Sequence, residues 1–147
     1  MIWSIGYERL TPRRLVEIVG KLDATLVDCR SNPSGRVKRG FSRSALELLL
    51  PGRYVWAGVV LGGRGMGTTP EGLGLVRRWA TEDGTKVLLC KEEAPGDCHR
   101  HHQIATRLLP SVDVNHIYQD EVITASSLAR AIAGGDDAEY DFEVLAL

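Results

Sequence analysis

Apolar positions along this chain recur at two periods, and the alternation between them sets out the elements. Ile2-Trp3-Ser4-Ile5-Gly6 is a short, mostly apolar run closed by glycine, which predicts a strand over residues 2–6. Thr11-Pro12 supplies an N-cap and a proline at the first helical position, and Leu15, Ile18, Val19 and Leu22 then repeat at helical spacing. Residues 24–29 form a second buried strand with Asp28, Cys29 and Arg30 at its carboxyl end. Ser31-Asn32-Pro33-Ser34-Gly35 is turn chemistry, and the basic stretch after it has too little apolar periodicity for an element, so it reads as a mobile loop. Ser42 is placed to cap a helix reaching about Leu50 and stopped by Pro51-Gly52; residues 54–60 predict a third strand running into Leu61-Gly62-Gly63-Arg64-Gly65.

Residues 70–81 are expected to be helical despite Gly72 and Gly74, residues 86–90 to be a fourth strand and residues 112–118 a fifth. Thr124 opens a last helix that ends at Gly134-Gly135, and residues 142–147 are apolar enough to dock. The fourth strand carries Cys90 at its end, with Glu92 just beyond it. A Pro95-Gly96 break then leads to Cys98-His99-Arg100. A helix opened near Gly96 or Asp97 would have Ile104, Ala105, Leu108 and Leu109 on its apolar stripe, which places Cys98 and His101 on the sheet-facing side. Cys98 would then lie in the first helical turn, where free amides and the macrodipole favour a thiolate.

Strands alternating with helices predict a three-layer α/β fold over residues 1–147: a mainly parallel, Rossmann-like sheet of about five strands with helices on both faces. In such sheets the ligand crevice lies beyond the carboxyl ends of the strands. Tyr7, Asp28 to Arg30, Gly62-Gly63 and the segment from Cys90 to Arg100 would all open onto that edge.

At 147 residues and 44% hydrophobic content the chain suits one domain with one core. No apolar run approaches the roughly 18 residues of a membrane span, and the amino end lacks a basic region and cleavage site, so a cytoplasmic protein with no membrane partner is expected. Three cysteines without a secretion signal imply reduced thiols rather than a disulfide scaffold. The net charge of −1 says little, but its distribution says more. Arg36, Lys38, Arg39 and Arg43 share a stretch without an acid, whereas Asp136, Asp137, Glu139, Asp141 and Glu143 crowd the carboxyl end.

Five blocks, Ser4-Ile5-Gly6-Tyr7, Val27 to Pro33, Gly40-Phe41-Ser42, Leu61-Gly62-Gly63 and Leu89-Cys90-x-Glu92 through Cys98-His99-Arg100, occur in this order across nearly the whole chain. In order and spacing they resemble the bacterial domain of unknown function family numbered 488. That resemblance implies a compact α/β domain with an uncharacterised pocket, and no settled reaction. Tyr7 stands where many relatives carry His, and Cys29 where they carry an aliphatic residue, so no imidazole role is carried over to position 7.

On the residues themselves, Cys98 is the candidate thiolate or nucleophile, with His99 and Glu92 as proton-handling groups and Asp28 as an orienting acid. Arg30 and Arg100 are candidate anion clamps, while Tyr7, Gly62, Gly63 and Cys90 would shape the pocket. The basic loop, Arg36 included, would grip phosphates, with Phe41 available to stack on a base. Each has a plainer alternative. Cys90 suits a small buried hydrophobe, Asp28 and Arg30 suit a structural pair, and a short basic run suits a solvated loop. Zinc from Cys90, Cys98, His99 or His102 was weighed, but the thiol spacing is long for a two-pair zinc motif, and no metal or other cofactor is assigned. A phosphatase-like loop is excluded because the sixth residue after Cys90 is Gly96 rather than Arg. The expectation is an enzyme acting on a phosphate-bearing small molecule or nucleic-acid component. The alternatives are a non-catalytic nucleic-acid-binding module and a metal-stabilised interaction protein.

Overall fold

The computed structural model describes residues 1–63, 67–135 and 142–145. In chain order the elements are β1 (Ile2–Gly6), α1 (Pro12–Lys21), β2 (Ala24–Asp28), α2 (Arg43–Leu49), β3 (Tyr54–Trp56), α3 (Gly58–Leu61), α4 (Pro70–Thr81) and β4 (Thr85–Cys90). A tight 3-10 turn (Pro95–Asp97) and a wide-turned π-type helix (Arg100–Ala105) lead into α5 (Thr106–Leu108), followed by β5 (Asn115–Tyr118), β6 (Glu121–Thr124), α6 (Ala125–Gly134) and β7 (Glu143–Val144).

Hydroxyl caps start four of the helices. Thr11 accepts from Arg14 N at 3.1 Å, Ser42 from Ala45 N at 3.2 Å, Thr69 from Gly72 N at 3.1 Å and Thr124 from Ser127 N at 3.2 Å. Each satisfies an amide that the helix itself leaves free.

All strands join one mixed sheet in the order β3-β2-β4-β1-β5-β6-β7. The pairs from β3 to β5 are parallel; β5–β6 and β6–β7 are antiparallel. Seven strands replace the five expected, because β6 and β7 are too short to show a period. The third strand is shorter than expected: Gly58, Val59 and Val60, apolar enough to read as strand, belong to α3 instead.

Neighbouring strand residues feed opposite cores, as a pleated sheet requires. Ile5, Leu26, Val87 and Leu89 pack with Leu15, Ile18, Phe41 and Leu46 on one face. Ile2, Val27, Leu88 and Cys90 pack with Leu61, Val76, Ile104 and Leu108 on the other. Fully burying each such aliphatic side chain contributes about 1.5–3 kcal/mol relative to leaving it in water.

The basic stretch is anchored rather than loose: Phe41 is fully buried, Lys38 Nζ donates to Glu8 O and Leu10 O, and Arg43 N donates to Pro33 O at 3.0 Å. Among the described residues no helix is long and apolar enough to cross a membrane. Arg64 and Gly65 of the expected glycine loop, the acids Asp136, Asp137, Glu139 and Asp141, and the last two residues of the apolar tail lie outside the described residues.

Candidate active site

Parallel register brings three strand ends level. Gly6 of β1 pairs with Cys90 of β4, and Asp28 of β2 pairs with Leu89. Pairing continues past the strands, since Tyr7 N donates to Cys90 O at 3.0 Å and Glu8 N to Lys91 O at 2.9 Å. Gly6 is required here: a Cβ at this position would lie 1.7 Å from Glu92 O, so only glycine lets the chain after β4 fold back over β1. The Pro95–Asp97 turn then returns the chain so that Cys98 faces Cys90.

Cys98 does not lie inside a helix. Its backbone is extended (φ −124°, ψ 147°), and the helix begins after it. The proline turn displaces the helix start by two to three residues, so helical amides act on Cys98 as they act on a capping residue. Arg100 N donates to its sulfur at 3.5 Å, and its carbonyl accepts from His101 N and His102 N at 3.1 and 3.2 Å.

Cys90, Cys98 and His99 form one cluster, with donor atoms within 4.8 Å of one another. Cys90 Sγ is 3.4 Å from His99 Nδ1 and 3.6 Å from Nε2, while Cys98 Sγ is 3.9 Å from Nδ1. His99 Nε2 lies 3.0 Å from Leu61 O and donates to that carbonyl, which turns Nδ1 toward the sulfurs. The ring packs on Gly63, where an added Cβ would meet His99 Cγ at 2.5 Å. Hydrogen bonding from Cys90 pulls the Cys98 thiol down to about 3; burial opposes this, and His99, the Arg100 charge and the Arg100 amide add to it. Cys90 is pushed up by burial and then by Cys98; burial pulls His99 down, but the hydrogen bond to Cys98, the Cys98 charge, the Leu61 carbonyl and the Glu92 charge together raise it. The cluster therefore holds one thiolate, one thiol and an imidazole that donates from Nε2 to Leu61 O. Cys29, pushed up by burial, by Asp28 and by Cys98, bonds Val27 O and packs in the same core as the other two cysteines without joining the His99 cluster.

A cleft of about 390 Å³ opens above the cluster, lined by Arg30, Gly63, Cys90, Glu92, Cys98 and His99 among others. Burial raises Glu92, and the Cys98 thiolate adds to the rise. Arg30 is 8% exposed; its Nε and Nη2 form a two-pronged pair with Asp28 at 2.8 Å each, and its buried Nη1 has no hydrogen-bond partner among the described residues. A second cavity, of about 270 Å³ beside Leu10, Arg14 and Asp120, contains neither thiol nor imidazole.

Several expected site residues serve other ends. Asp28 is fully buried and accepts from Arg30 N, Nε and Nη2 and from the Tyr54 hydroxyl, so it orients Arg30 and has no oxygen left for acid–base work. Arg100 is fully buried and outside the cleft lining; it donates to Ser4 Oγ, Glu92 O and Glu93 O and braces the loop rather than gripping a ligand. Tyr7 is buried against Phe41 with ring centres 5.0 Å apart, and the Arg30 guanidinium lies 4.9 Å from its ring centre. Phe41 is therefore core and cannot stack on a base. Arg36 is exposed and away from the cleft lining, and Gly62 sits under α3, where a Cβ would meet Gly58 O at 2.4 Å.

Three residues that were not assigned a role support the site from behind. Arg100 Nε can only donate, so Ser4 Oγ accepts from it at 3.0 Å and gives its own proton to His116 Nδ1 at 2.5 Å. His116 Nε2 then carries the hydrogen and donates to His101 Nδ1 at 3.0 Å. Both rings are neutral. Burial takes His101 down to about 4 and His116 well below its ordinary value, and the Arg100 charge acts in the same direction. Ser4 in β1 and His116 in β5 are each a polar residue on the buried side of a strand, and His101 is the residue that the apolar stripe of its helix turns toward the sheet.

No protein-family model, no curated protein and no solved structure matches this chain.

Proposed function

We propose that this protein is an enzyme whose substrate carries a phosphate, a nucleotide or nucleic-acid component, held at the cleft over Cys98. The observation that carries this reading is Arg30, oriented by Asp28 in the wall of the cleft that contains Cys98, His99 and Glu92, whose buried Nη1 has no hydrogen-bond partner among the described residues and would need a small side-chain shift to meet a ligand. A phosphate oxygen satisfies such a donor and its charge together. Cys98 supplies the thiolate, with the His99 imidazole beside it. Glu92, with its raised pKa and half-buried position, is the group placed to give or take a proton. The position of the cleft beyond the ends of β1, β2 and β4 agrees with a Rossmann-like reading, although β1 and β4 exchange places relative to the 3-2-1-4-5 strand order of dinucleotide-binding sheets. The resemblance to family 488 is carried by the same Cys-x-Glu and Cys-His-Arg residues, and free thiols suit the reducing cytoplasm.

Calorimetric titration with a nucleoside and its monophosphate tests the reading. The monophosphate should bind more tightly, and Arg30→Lys, which keeps a cation beside Asp28 but loses the fork, should weaken it about tenfold, the worth of one charged hydrogen bond. Equal affinity for the two probes would sink the proposal. The exposed Arg36 and Arg39 give a nucleic-acid-binding module its only support. Affinity for a single-stranded oligonucleotide that falls steeply with salt and is lost in an Arg36→Ser, Arg39→Ser variant would favour it.

A further inference from the structure

We propose that Cys90, Cys98 and His99 form a three-ligand site for Zn²⁺ with its fourth position open to the cleft. Tetrahedral zinc with two sulfurs and one nitrogen sets sulfur–nitrogen edges of about 3.5 Å and a sulfur–sulfur edge of about 3.8 Å. The two sulfur–nitrogen separations to Nδ1 are 3.4 and 3.9 Å, and all three donor atoms lie within 4.8 Å of each other. The sulfur–nitrogen edges thus need shifts of a few tenths of an ångström, and the sulfur–sulfur edge a shift of at most about 1 Å, in side chains already packed together.

The surrounding contacts have the form a zinc site uses. A ligating histidine characteristically gives its other ring N–H to a carbonyl or carboxylate, which fixes the tautomer and aims the free nitrogen at the metal. Leu61 O does this for His99 Nε2. The Arg100 amide on the Cys98 sulfur is the corresponding support for a thiolate ligand. A long sequence spacing between the thiols is no obstacle, because one ends a strand and the other ends the turn that folds back over it. His102, the fourth residue the sequence offered, is instead bonded through Nε2 to Gly96 O at 2.6 Å. With three protein ligands and a cleft in front, the arrangement is that of an open site rather than a closed structural one. Glu92 and Arg30 line that cleft, so a water or a phosphate oxygen can occupy the fourth position.

Metal binding displaces the proton held among the two sulfurs and the imidazole. It also makes the Cys98 sulfur a ligand, so a metal-loaded protein does not present it as a free nucleophile. The proposal stands on the geometry of the cluster and is independent of the phosphate reading, which stands on Arg30.

Cobalt substitution of chelator-treated protein is the test. One equivalent of Co²⁺ should give the intense visible bands of tetrahedral cobalt and sulfur-to-cobalt charge transfer in the near ultraviolet. Zn²⁺ should displace it one for one. Cys90→Ser and Cys98→Ser should each weaken binding at least about a hundredfold, beyond the 10–100-fold range of a supporting contact. In the unmutated protein Zn²⁺ should slow alkylation of Cys98, and chelator should restore it, a readout that survives even if a variant fails to fold. Octahedral cobalt, a tetrahedral spectrum unchanged by both substitutions, or no protection of Cys98 would overturn the site. Loss of metal binding with tight monophosphate binding removes the zinc site alone; the reverse result removes the phosphate reading alone.

Discussion

Cys98 and Cys90 share one imidazole, yet their sulfurs meet different fields. Cys98 receives a backbone N–H and lies in the field of Arg100, whose own hydrogen bonds all go to neutral acceptors. Cys90 ends an apolar strand, where burial and then the Cys98 charge hold its thiol up and outweigh the Arg100 charge, and Cys29 is enclosed. In chelator-treated native protein near neutral pH, Cys98 should therefore be alkylated first, with Cys90 and Cys29 reacting only as the protein unfolds. Peptide mapping of a time course checks this, and labelling of Cys90 ahead of Cys98 would contradict it. At this scale the types and order of Cys98, His99, Glu92 and Cys90 single them out in the sequence, and the fold brings the four to one cleft. Arg100 and Phe41, expected to face a ligand, are buried braces, whereas Asp28 orients Arg30 as the pairing alternative has it, because a guanidinium, a ring or a carboxylate reads alike whether it meets a ligand or braces a loop. Only the partners distinguish the two, and Glu92 O, Tyr7 and Tyr54 are brought there by the fold.

Helices with a hydroxyl cap and an amphipathic stripe were readable, since both signals are local: Pro12–Lys21, Arg43–Leu49 and Ala125–Gly134 begin where Thr11, Ser42 and Thr124 stand. The segment after β4 was not, because its shape is set by non-local closeness between Gly6 and Glu92. Gly6→Ala should force that loop outward, strain the bonds from Arg100 to Glu92 O and Glu93 O, and lower stability by about 1–3 kcal/mol, the usual range for overpacking. Gly20, in α1 with nothing within 4 Å of an added Cβ, is the control. Gly20→Ala should hold or raise stability by up to about 1 kcal/mol through helix propensity. Urea midpoints compare the two, and a Gly6→Ala protein as stable as Gly20→Ala would show that the loop does not depend on this close approach. Gly6→Ala should also reduce phosphate and metal binding together, since one loop supports both.

Across the molecule, the sheet's parallel half holds the reactive edge while its interior carries a buried cation braced through Ser4, His116 and His101 across β1, β5 and the π-type helix. This arrangement requires both rings neutral, because Ser4 and His116 must each donate along the chain that starts at Arg100. The folded protein therefore binds a proton at His116 only well below the ordinary histidine range, whereas the unfolded chain binds it near pH 6.5. With the folded pKa depressed, the stability that depends on neutral His116 is complete above about pH 6.5 and declines as pH falls, with a limiting slope of about 1.4 kcal/mol per pH unit for one proton. His101, lowered to about 4, acts with the same sign. Comparing unmutated protein with His116→Gln isolates the first contribution, because His101 and the carboxylates titrate in both. Unfolding free energies measured by urea between pH 7 and pH 5 should fall more steeply in the unmutated protein. Parallel curves would mean that His116 is protonated in the fold, and Ser4 could then no longer accept from Arg100 while donating to the ring.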